Sequence, residues 1–225
     1  MSATPVIITL DGPVGVGKSS VAQALSRKLG FTHIDTGAMY RAVTLIALER
    51  KIRPDDHKAL ADLAASLKIE IKIGEQENRV WVDGREVTRL IRAQEISRAT
   101  SNVADCIGVR KVLVKHQREL GNRQNSVLEG RDQGTEVFPD ASIKFYLDAS
   151  LEERTRRRGD QLQQNGKRVA AATLRSAIQE RDKRDRSRPY GPLRVAPDAI
   201  VVDTTGISEP EVVELLFELT KSELV

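Results

Sequence analysis

The chain has little cysteine and few aromatic residues. Cys106 is the single cysteine among 225 residues, which excludes a disulfide framework and a cysteine-based metal cluster. Four Phe, three Tyr and one Trp leave few rings on which nucleic-acid bases could stack. No apolar run approaches the roughly 20 residues of a membrane span, and no basic, apolar leader precedes the first predicted strand. We therefore expect a cytoplasmic protein of one domain, residues 1–225, with no membrane partner.

Charge is nearly balanced overall but concentrated in one segment. The 36 Lys and Arg against 32 Asp and Glu give a formal net charge of +4. Residues 154–194 contain 13 basic and 4 acidic residues. Such a block can hold nucleic acid electrostatically, or it can clamp polyphosphate substrates through arginine side chains. The scarcity of aromatic residues favours the second interpretation.

The most informative motif is a glycine-rich run near the N-terminus. Residues 12–19 fit the phosphate-loop pattern G-x-x-x-x-G-K-[ST], after an apolar run at 6–10 and before a helical pattern at 19–29. In that context, main-chain N–H groups and a helix N-terminus form an anion site. Lys18 would reach the β- and γ-phosphates of a bound nucleoside triphosphate, and Ser19 would hold Mg²⁺. The predicted triphosphate site comprises Gly12, Pro13, Val14, Gly15, Val16, Gly17, Lys18, Ser19 and Ser20.

Strand and helix patterns alternate along the chain, which predicts an α/β fold with a parallel sheet. The five expected core strands lie at 6–10, 31–35, 127–129, 143–147 and 199–202. Residues 69–73, 79–83 and 86–88 alternate in polarity instead, which predicts a small antiparallel meander. We treat residues 60–95 as an insertion or subdomain within the single domain.

Local signals also predict where several helices begin or end. Ser150 with Glu153, and Ser208 with Glu211, have the spacing of a capping box at a helix start. Gly121 follows a helical pattern at 109–120 and is expected to cap its C-terminus.

Polar clusters follow two of the predicted strands, at the edge where parallel sheets bind ligands. Asp35, Thr36 and Arg41 follow the second strand. Asp35 or Thr36 can cap the next helix, whereas Arg41 is harder to explain by structure alone. Arg131 and Asp132 follow a later strand. They form either a surface ion pair or a phosphate clamp with an acceptor for an exocyclic amine.

Two further clusters lie in the basic segment. Arg181, Asp185 and Arg188 fall on one face of a predicted helix. That face is either solvated or part of a site. Four arginines at 154 and 156–158 precede a polar stretch. They belong either to a mobile flap over phosphates or to an ordinary basic helix.

In combination and in order, these runs resemble the bacterial cytidylate kinases, a family of nucleoside monophosphate kinases. The matching segments are 11–13, 35–41, 130–132, 134–135, 137–141, 145–149, 181–182 with 185 and 188, and 192–193. They cover nearly the whole chain and separate this family from adenylate, guanylate and shikimate kinases. Two positions depart from the family pattern: Gln133, where a hydrophobic residue is usual, and Thr36, where serine is frequent.

The resemblance implies a P-loop three-layer sandwich with a five-stranded parallel core sheet, a monophosphate-binding subdomain that contains the meander, and a short lid at 154–168. It implies a monomeric enzyme that uses Mg²⁺ and transfers the γ-phosphate of ATP to CMP or dCMP. The catalytic residues implied are Lys18, Arg131, Arg181 and, in the lid, Arg157. The implied acceptor contacts are Thr36, Arg41, Arg131 and Arg181 to phosphates, Ser101, Arg110, Asp132 and Arg188 to cytosine, and Asp185 to ribose.

The chemistry of the bases agrees with this implication. Cytosine carries an amino donor at N4 and an acceptor at N3, so a carboxylate with an arginine or serine would select it over uracil. Two alternatives stay open: a P-loop kinase for another small acceptor such as UMP, and an NTP-dependent RNA-binding protein that uses residues 154–194. No recognised RNA-binding module is visible in the sequence.

Overall fold

The computed structural model describes residues 4–72, 74, 78–164 and 166–224. Its strands are β1 (Ile7–Asp11), β2 (Thr32–Asp35), β3 (Ile69–Lys72), β4 (Arg79–Val82), β5 (Arg85–Glu86), β6 (Ser126–Glu129), β7 (Ile143–Asp148) and β8 (Ile200–Asp203). Its helices are α1 (Lys18–Leu29), α2 (Thr36–Glu49), α3 (His57–Ser66), α4 (Gln94–Asp105), α5 (Ile107–Gly121), α6 (Leu151–Gln164), α7 (Ala171–Ser187) and α8 (Glu209–Glu223). Ile73 of the predicted meander and Asn165 of the predicted lid lie outside the described residues.

Five parallel strands form the central sheet, in the order β2-β6-β1-β7-β8. β1 lies in the middle of the sheet, and every one of its residues is buried. The predicted α/β fold with a five-stranded parallel sheet is therefore confirmed. Because the strands are parallel, their carboxyl ends meet at one edge, and the loops that follow them lie together there.

Helices cover both faces of this sheet. Ile8 packs with Leu25 of α1 and Leu216 of α8 on one face. The adjacent residue Ile7 packs with Val114 of α5 on the other face. Successive side chains of a strand point to opposite faces, so β1 contributes to both apolar layers. Full burial of a side chain such as Leu25 contributes about 2 kcal/mol to folding.

Apart from the two layers on the central sheet, another apolar core lies between helices α2 to α5 and the antiparallel sheet β3-β4-β5. Ile69 pairs with Val82 across β3 and β4, which confirms the predicted meander. The third predicted run is shorter than expected, since β5 covers only Arg85–Glu86. Thr88 lies beyond its end, and its hydroxyl accepts the N–H of Val80 at 3.0 Å. In the described part of the chain, no helix combines the length and apolar character that a membrane crossing demands.

The two predicted capping boxes have different outcomes. Ser208 and Glu211 form the complete box at the start of α8. At the start of α6, the Ser150 hydroxyl accepts the N–H of Glu153 at 3.2 Å. The carboxylate of Glu153, however, accepts hydrogen bonds from Arg156 and Arg157, and the main-chain N–H of Ser150 donates to Oγ1 of Thr205 at 2.8 Å. Only half of that box forms, because both of its other groups have different partners.

The prediction that Gly121 caps α5 from outside was wrong. Gly121 is the last residue of the helix, and Asn122 is the cap, with a φ of −74°. Gly121 instead permits a close approach of two elements: a Cβ at this position would lie 2.6 Å from Cζ of Phe138. The glycine is required by packing, which the sequence pattern alone does not reveal.

Candidate active site

The phosphate loop connects β1 to α1 at the carboxyl edge of the sheet. Gly15 and Gly17 have φ values of 85° and 91°, in the left-handed region that favours glycine. The side chain of Lys18 is buried, and its Nζ donates to the carbonyl of Pro13 at 2.6 Å. Burial lowers the pKa of Lys18 well below its usual value, and the nearby Arg131 guanidinium lowers it further. A bound anion would relieve both effects.

Ser19, the residue after that lysine, lies beside an acidic residue from another strand. Its Oγ donates to Oε2 of Glu129 at 2.7 Å. Glu129 ends β6 and is 4% exposed, and its second carboxylate oxygen lies 3.2 Å from Nε2 of His33. A hydroxyl and a carboxylate are oxygen ligands of the kind that Mg²⁺ prefers. The sequence predicted Ser19 for this role but not Glu129, because only the sheet order places β6 next to β1.

Asp35 and its neighbours follow β2 at the same edge. Asp35 caps α2, since its Oδ1 accepts the N–H of Ala38 at 3.0 Å. Its Oδ2 accepts a hydrogen bond from Arg41 at 2.6 Å. Burial raises the pKa of Asp35, but Arg41, His33 and the N–H of Ala38 together hold that pKa below its usual value. Thr36 donates to the carbonyl of Glu129 at 2.6 Å, which ties the start of α2 to β6.

Three half-buried arginines, Arg41, Arg131 and Arg181, lie close together next to the phosphate loop. Nε of Arg131 donates to Oδ2 of Asp185 at 2.9 Å. Within the described residues, Nε of Arg41 and Nε of Arg181 are buried without a hydrogen-bond partner. Burial lowers the pKa of Arg181 to about 10, and repulsion from Arg131 adds to this effect. Unpaired donors on mutually repelling cations are the arrangement expected at a site for a polyanion.

Asp132 and Arg110 form a buried ion pair a short distance away. The guanidinium of Arg110 binds Oδ2 of Asp132 and donates to the carbonyl of Ala104 at 3.2 Å. Its central carbon lies 5.4 Å from the ring centre of Tyr40. Burial raises the pKa of Asp132, and Arg110 opposes that rise. The surface ion pair between neighbouring residues 131 and 132 does not form, because Arg131 pairs with Asp185 instead.

The remaining predicted acceptor contacts come from two helices. Asp185 lies in α7 and is buried, and Arg188 follows the last residue of that helix. The predicted common face of 181, 185 and 188 is therefore directed into the protein, which excludes the solvated alternative for Asp185 and Arg188. Ser101 lies in α4 and is half-buried.

The four arginines at the start of the predicted lid divide into two kinds. Arg154 is buried, pairs with Asp182 and donates to the carbonyl of Ala149 at 3.1 Å. Asp182 in turn accepts the N–H of Val14 in the phosphate loop at 3.3 Å. Arg157 donates to the carbonyl of Thr204 at 2.6 Å. The other two of the four, 156 and 158, are bonded to neighbours on their own helix.

Arg154 and Arg157 therefore hold α6 against the phosphate loop and the segment after β8. Arg157 also donates to the carbonyl of Val16 at 3.2 Å. The predicted catalytic role of Arg157 stays a prediction, since its hydrogen bonds go to main-chain carbonyls, to the hydroxyl of Thr204 and to Glu153. An ordinary solvated helix does not account for these two residues, because both reach across to other elements.

A phosphate loop at the centre of a parallel sheet, with half-buried arginines beside it, defines the class of P-loop kinases. Asp132 and Arg110 add a buried carboxylate and a buried guanidinium to this site. Comparison with known proteins then identifies the group within the class. A family model described as Cytidylate kinase matches residues 8–222. The chain belongs to the cytidylate kinase family.

Individual relatives agree with the family model. The chain is 48% identical over 216 residues to the bifunctional pantoate ligase/cytidylate kinase of Synechococcus sp., and the match covers 95% of this chain but 40% of that protein. It is 44% identical over 212 residues to the cytidylate kinase of Caldicellulosiruptor bescii, with 94% of each chain covered. The chain thus spans less than half of the first relative and nearly all of the second.

One solved structure supports the fold alone. An uncharacterized protein from Eubacterium ventriosum superposes with a TM-score of 0.55 at 13% sequence identity, over 96% of this chain and 98% of that one. Identity this low carries no information about substrate.

Proposed function

We propose that this protein is a cytidylate kinase that transfers the γ-phosphate of ATP to CMP or dCMP, which yields ADP and CDP or dCDP. Membership of the family supports this proposal. The observation that carries it is the set of half-buried arginines at the phosphate loop. The Nε atoms of Arg41 and Arg181 are buried there and have no hydrogen-bond partner among the described residues. Two substrates that both bring phosphate groups would satisfy those donors.

The donor triphosphate is proposed to bind residues 12–20. The N–H groups of the loop and the N-terminus of α1 supply the anion site, and Lys18 reaches the β- and γ-phosphates. Ser19 and Glu129 fit a hard divalent cation, and they would hold Mg²⁺. When bound, Mg²⁺ supplies positive charge that offsets the charge of the phosphates.

The acceptor phosphate is proposed to lie among the arginines. Arg41, Arg131 and Arg181 supply planar donors that match phosphate oxygens, and Thr36 lies at the start of the helix that carries Arg41. The acceptor oxygen is already ionised at neutral pH, so no general base is needed. Catalysis then consists of alignment of the two substrates and of charge stabilisation by Lys18 and the arginines.

The acceptor base is proposed to lie next to Asp132, Arg110, Ser101 and Arg188. The carboxylate of Asp132 can accept from the N4 amino group, and an arginine or serine donor can serve N3. Uracil reverses both groups and would leave buried polar atoms unpaired, which costs binding. Asp185, which pairs with Arg131, is the proposed ribose contact.

The organisation of the domain follows from the same proposal. Residues 60–95, with the antiparallel sheet, contribute to a monophosphate-binding subdomain, and residues 154–168 to a lid that excludes water during transfer. We propose a cytoplasmic monomer that has small-molecule substrates and no nucleic-acid partner.

The test is ADP release with ATP and Mg²⁺ against CMP, dCMP, UMP, AMP and GMP at equal concentrations. We expect turnover with CMP and dCMP well above the rest. Lys18→Met should abolish it, whereas Lys58→Met, at a side chain that is 88% exposed, should not. A higher rate with UMP would support the alternative acceptor. No stimulated turnover, together with salt-dependent RNA binding, would overturn the kinase assignment.

A further inference from the structure

Arg188 is held between two carboxylates from different helices. Its Nε donates to Oδ1 of Asp105 at 2.8 Å, and its terminal nitrogen binds Oδ1 of Asp185. Asp105 is the last residue of α4, and Asp185 lies in α7. The side chain of Arg188 is 6% exposed, so these bonds form in a poorly solvated environment, where charge-assisted hydrogen bonds are strong.

Two anchors fix the orientation of a guanidinium. The group is planar, and its five N–H donors keep a rigid geometry relative to one another. A bond at Nε and a bond at one terminal nitrogen therefore set both the plane of the group and the direction of its remaining N–H bonds. Asp185 alone would leave Arg188 able to pivot about a single contact.

Asp105 is itself held in place. Arg184 binds the second carboxylate oxygen, Oδ2, of Asp105 and donates to Oδ1 of Asn102 at 2.6 Å. Each oxygen of Asp105 thus serves one arginine. Asp105 lies four residues after Ser101 on α4, so the same face of that helix carries the anchor and a proposed base contact.

We propose that Asp105 is a positioning residue for the acceptor base: it orients Arg188, and through Arg188 it determines affinity for cytosine and discrimination against uracil. The inference rests on the proposed function. The competing explanation is a purely structural tie between α4 and the end of α7. Such a tie would affect the stability of the protein but would not change the preference between two acceptor bases.

The deciding variant is Asp105→Asn in the full chain. Asparagine keeps the size of the side chain and one acceptor oxygen, but it removes one of the two charges that hold Arg188. We expect KM for CMP to rise about tenfold, as for loss of one charge-assisted hydrogen bond. KM for ATP should stay unchanged, and the ratio of kcat/KM for CMP to that for UMP should fall. Asn102→Ala is the matched control, because it touches Arg184 but not Arg188, and it should leave both values as in the wild type.

The kinetics of these variants distinguish a positioning role of Asp105 from a purely structural one. An unchanged KM for CMP, or an equal loss with CMP and UMP, would overturn the positioning role. If Asp105→Asn does not fold, Arg184→Gln removes one of the two bonds that hold Asp105. We expect it to raise KM for CMP about threefold, a fraction of the effect of a lost hydrogen bond, and no change would again overturn the role. A wild-type protein that does not phosphorylate CMP would instead refute the proposed function.

Discussion

The hydroxyl of Ser19 donates a hydrogen bond to Oε2 of Glu129 across 2.7 Å, although the two residues are 110 positions apart in the chain. Ser19 lies at the start of α1, and Glu129 ends the strand that pairs with β1. The sheet order thus brings together a hydroxyl and a carboxylate, of which only the hydroxyl belongs to the phosphate-loop motif.

Glu129→Gln should weaken use of Mg²⁺, because the amide keeps the hydrogen bond to Ser19 but loses the charge that attracts a cation. We expect the Mg²⁺ concentration for half-maximal activity to rise about tenfold, as for loss of one charged ligand. A Mg²⁺ titration of initial rates measures it. Glu119→Gln, an exposed glutamate on α5, serves as the control, and equal titrations for the two variants would exclude Glu129 from the cation site.

Arg181→Ala should impair catalysis without destabilising the fold. Arg181 is repelled by Arg131, and its Nε has no partner within the described chain, so its loss removes little native stabilisation. We expect kcat to fall by about a hundredfold, as for loss of one charge-stabilising donor, with the urea midpoint equal or higher. Arg175→Ala, on the same helix and half-exposed, should change neither quantity. Near-normal kcat for Arg181→Ala would remove this arginine from the transfer step.

Asp132→Asn should reduce the preference for CMP over UMP. The asparagine amide offers a donor where cytosine presents its own amino donor, so we expect the ratio of kcat/KM values to fall about tenfold or more. The free energy of unfolding should also fall by about 3 kcal/mol, because Arg110 keeps a buried charge without its partner. Steady-state kinetics with both acceptors and urea titrations test the two statements. An unchanged ratio would show that Asp132 takes no part in base recognition.

Asp11 should make the protein less stable as the pH rises towards neutrality. Burial raises the pKa of Asp11 to about 6, against hydrogen bonds from the N–H groups of Gly134 and Gln133. The folded state therefore holds this proton more tightly than the unfolded state does. The contribution of Asp11 to the free energy of unfolding is fully present below about pH 4. It falls by about 3 kcal/mol as the pH rises to about 6.

Urea titrations between pH 4 and pH 7 measure the effect of Asp11. The free energy of unfolding of the wild type should decline over this pH range. Asp11→Asn should lack the part of the decline that Asp11 causes, even if the variant is more or less stable than the wild type at any one pH. Identical pH slopes for the two proteins would contradict the raised pKa.

The parts of the structure that depend on local signals were predictable. The phosphate loop, the strand before it and the helix after it follow from glycine spacing and apolar periodicity, which act over a few residues. The capping box of Ser208 and Glu211 is local for the same reason. The alternating pattern around Val80 likewise predicted the antiparallel sheet.

The sequence did not predict the role of a residue whose environment is set by a partner far away in the chain. Gly121 was predicted to cap a helix, but the structure shows that a side chain at this position would clash with the ring of Phe138. The arginines at 154 and 156–158 had two interpretations. The structure shows that Arg154 and Arg157 bind other elements, whereas the side chain of Arg156 is 62% exposed. Charge alone does not distinguish a buried arginine from an exposed one, because burial depends on what packs against it.

By itself, the sequence determined that the chain has a phosphate loop, an alternating α/β order and the motif set of its family, because each is a pattern of neighbouring residues. Only the tertiary structure decided which charges meet: Ser19 with Glu129, Arg131 with Asp185, and Arg188 with Asp105. Those pairings arise where parallel strands and helices that are distant in sequence converge at one edge of the sheet. Coulombic attraction and hydrogen bonding act over a few ångströms of space, regardless of separation along the chain.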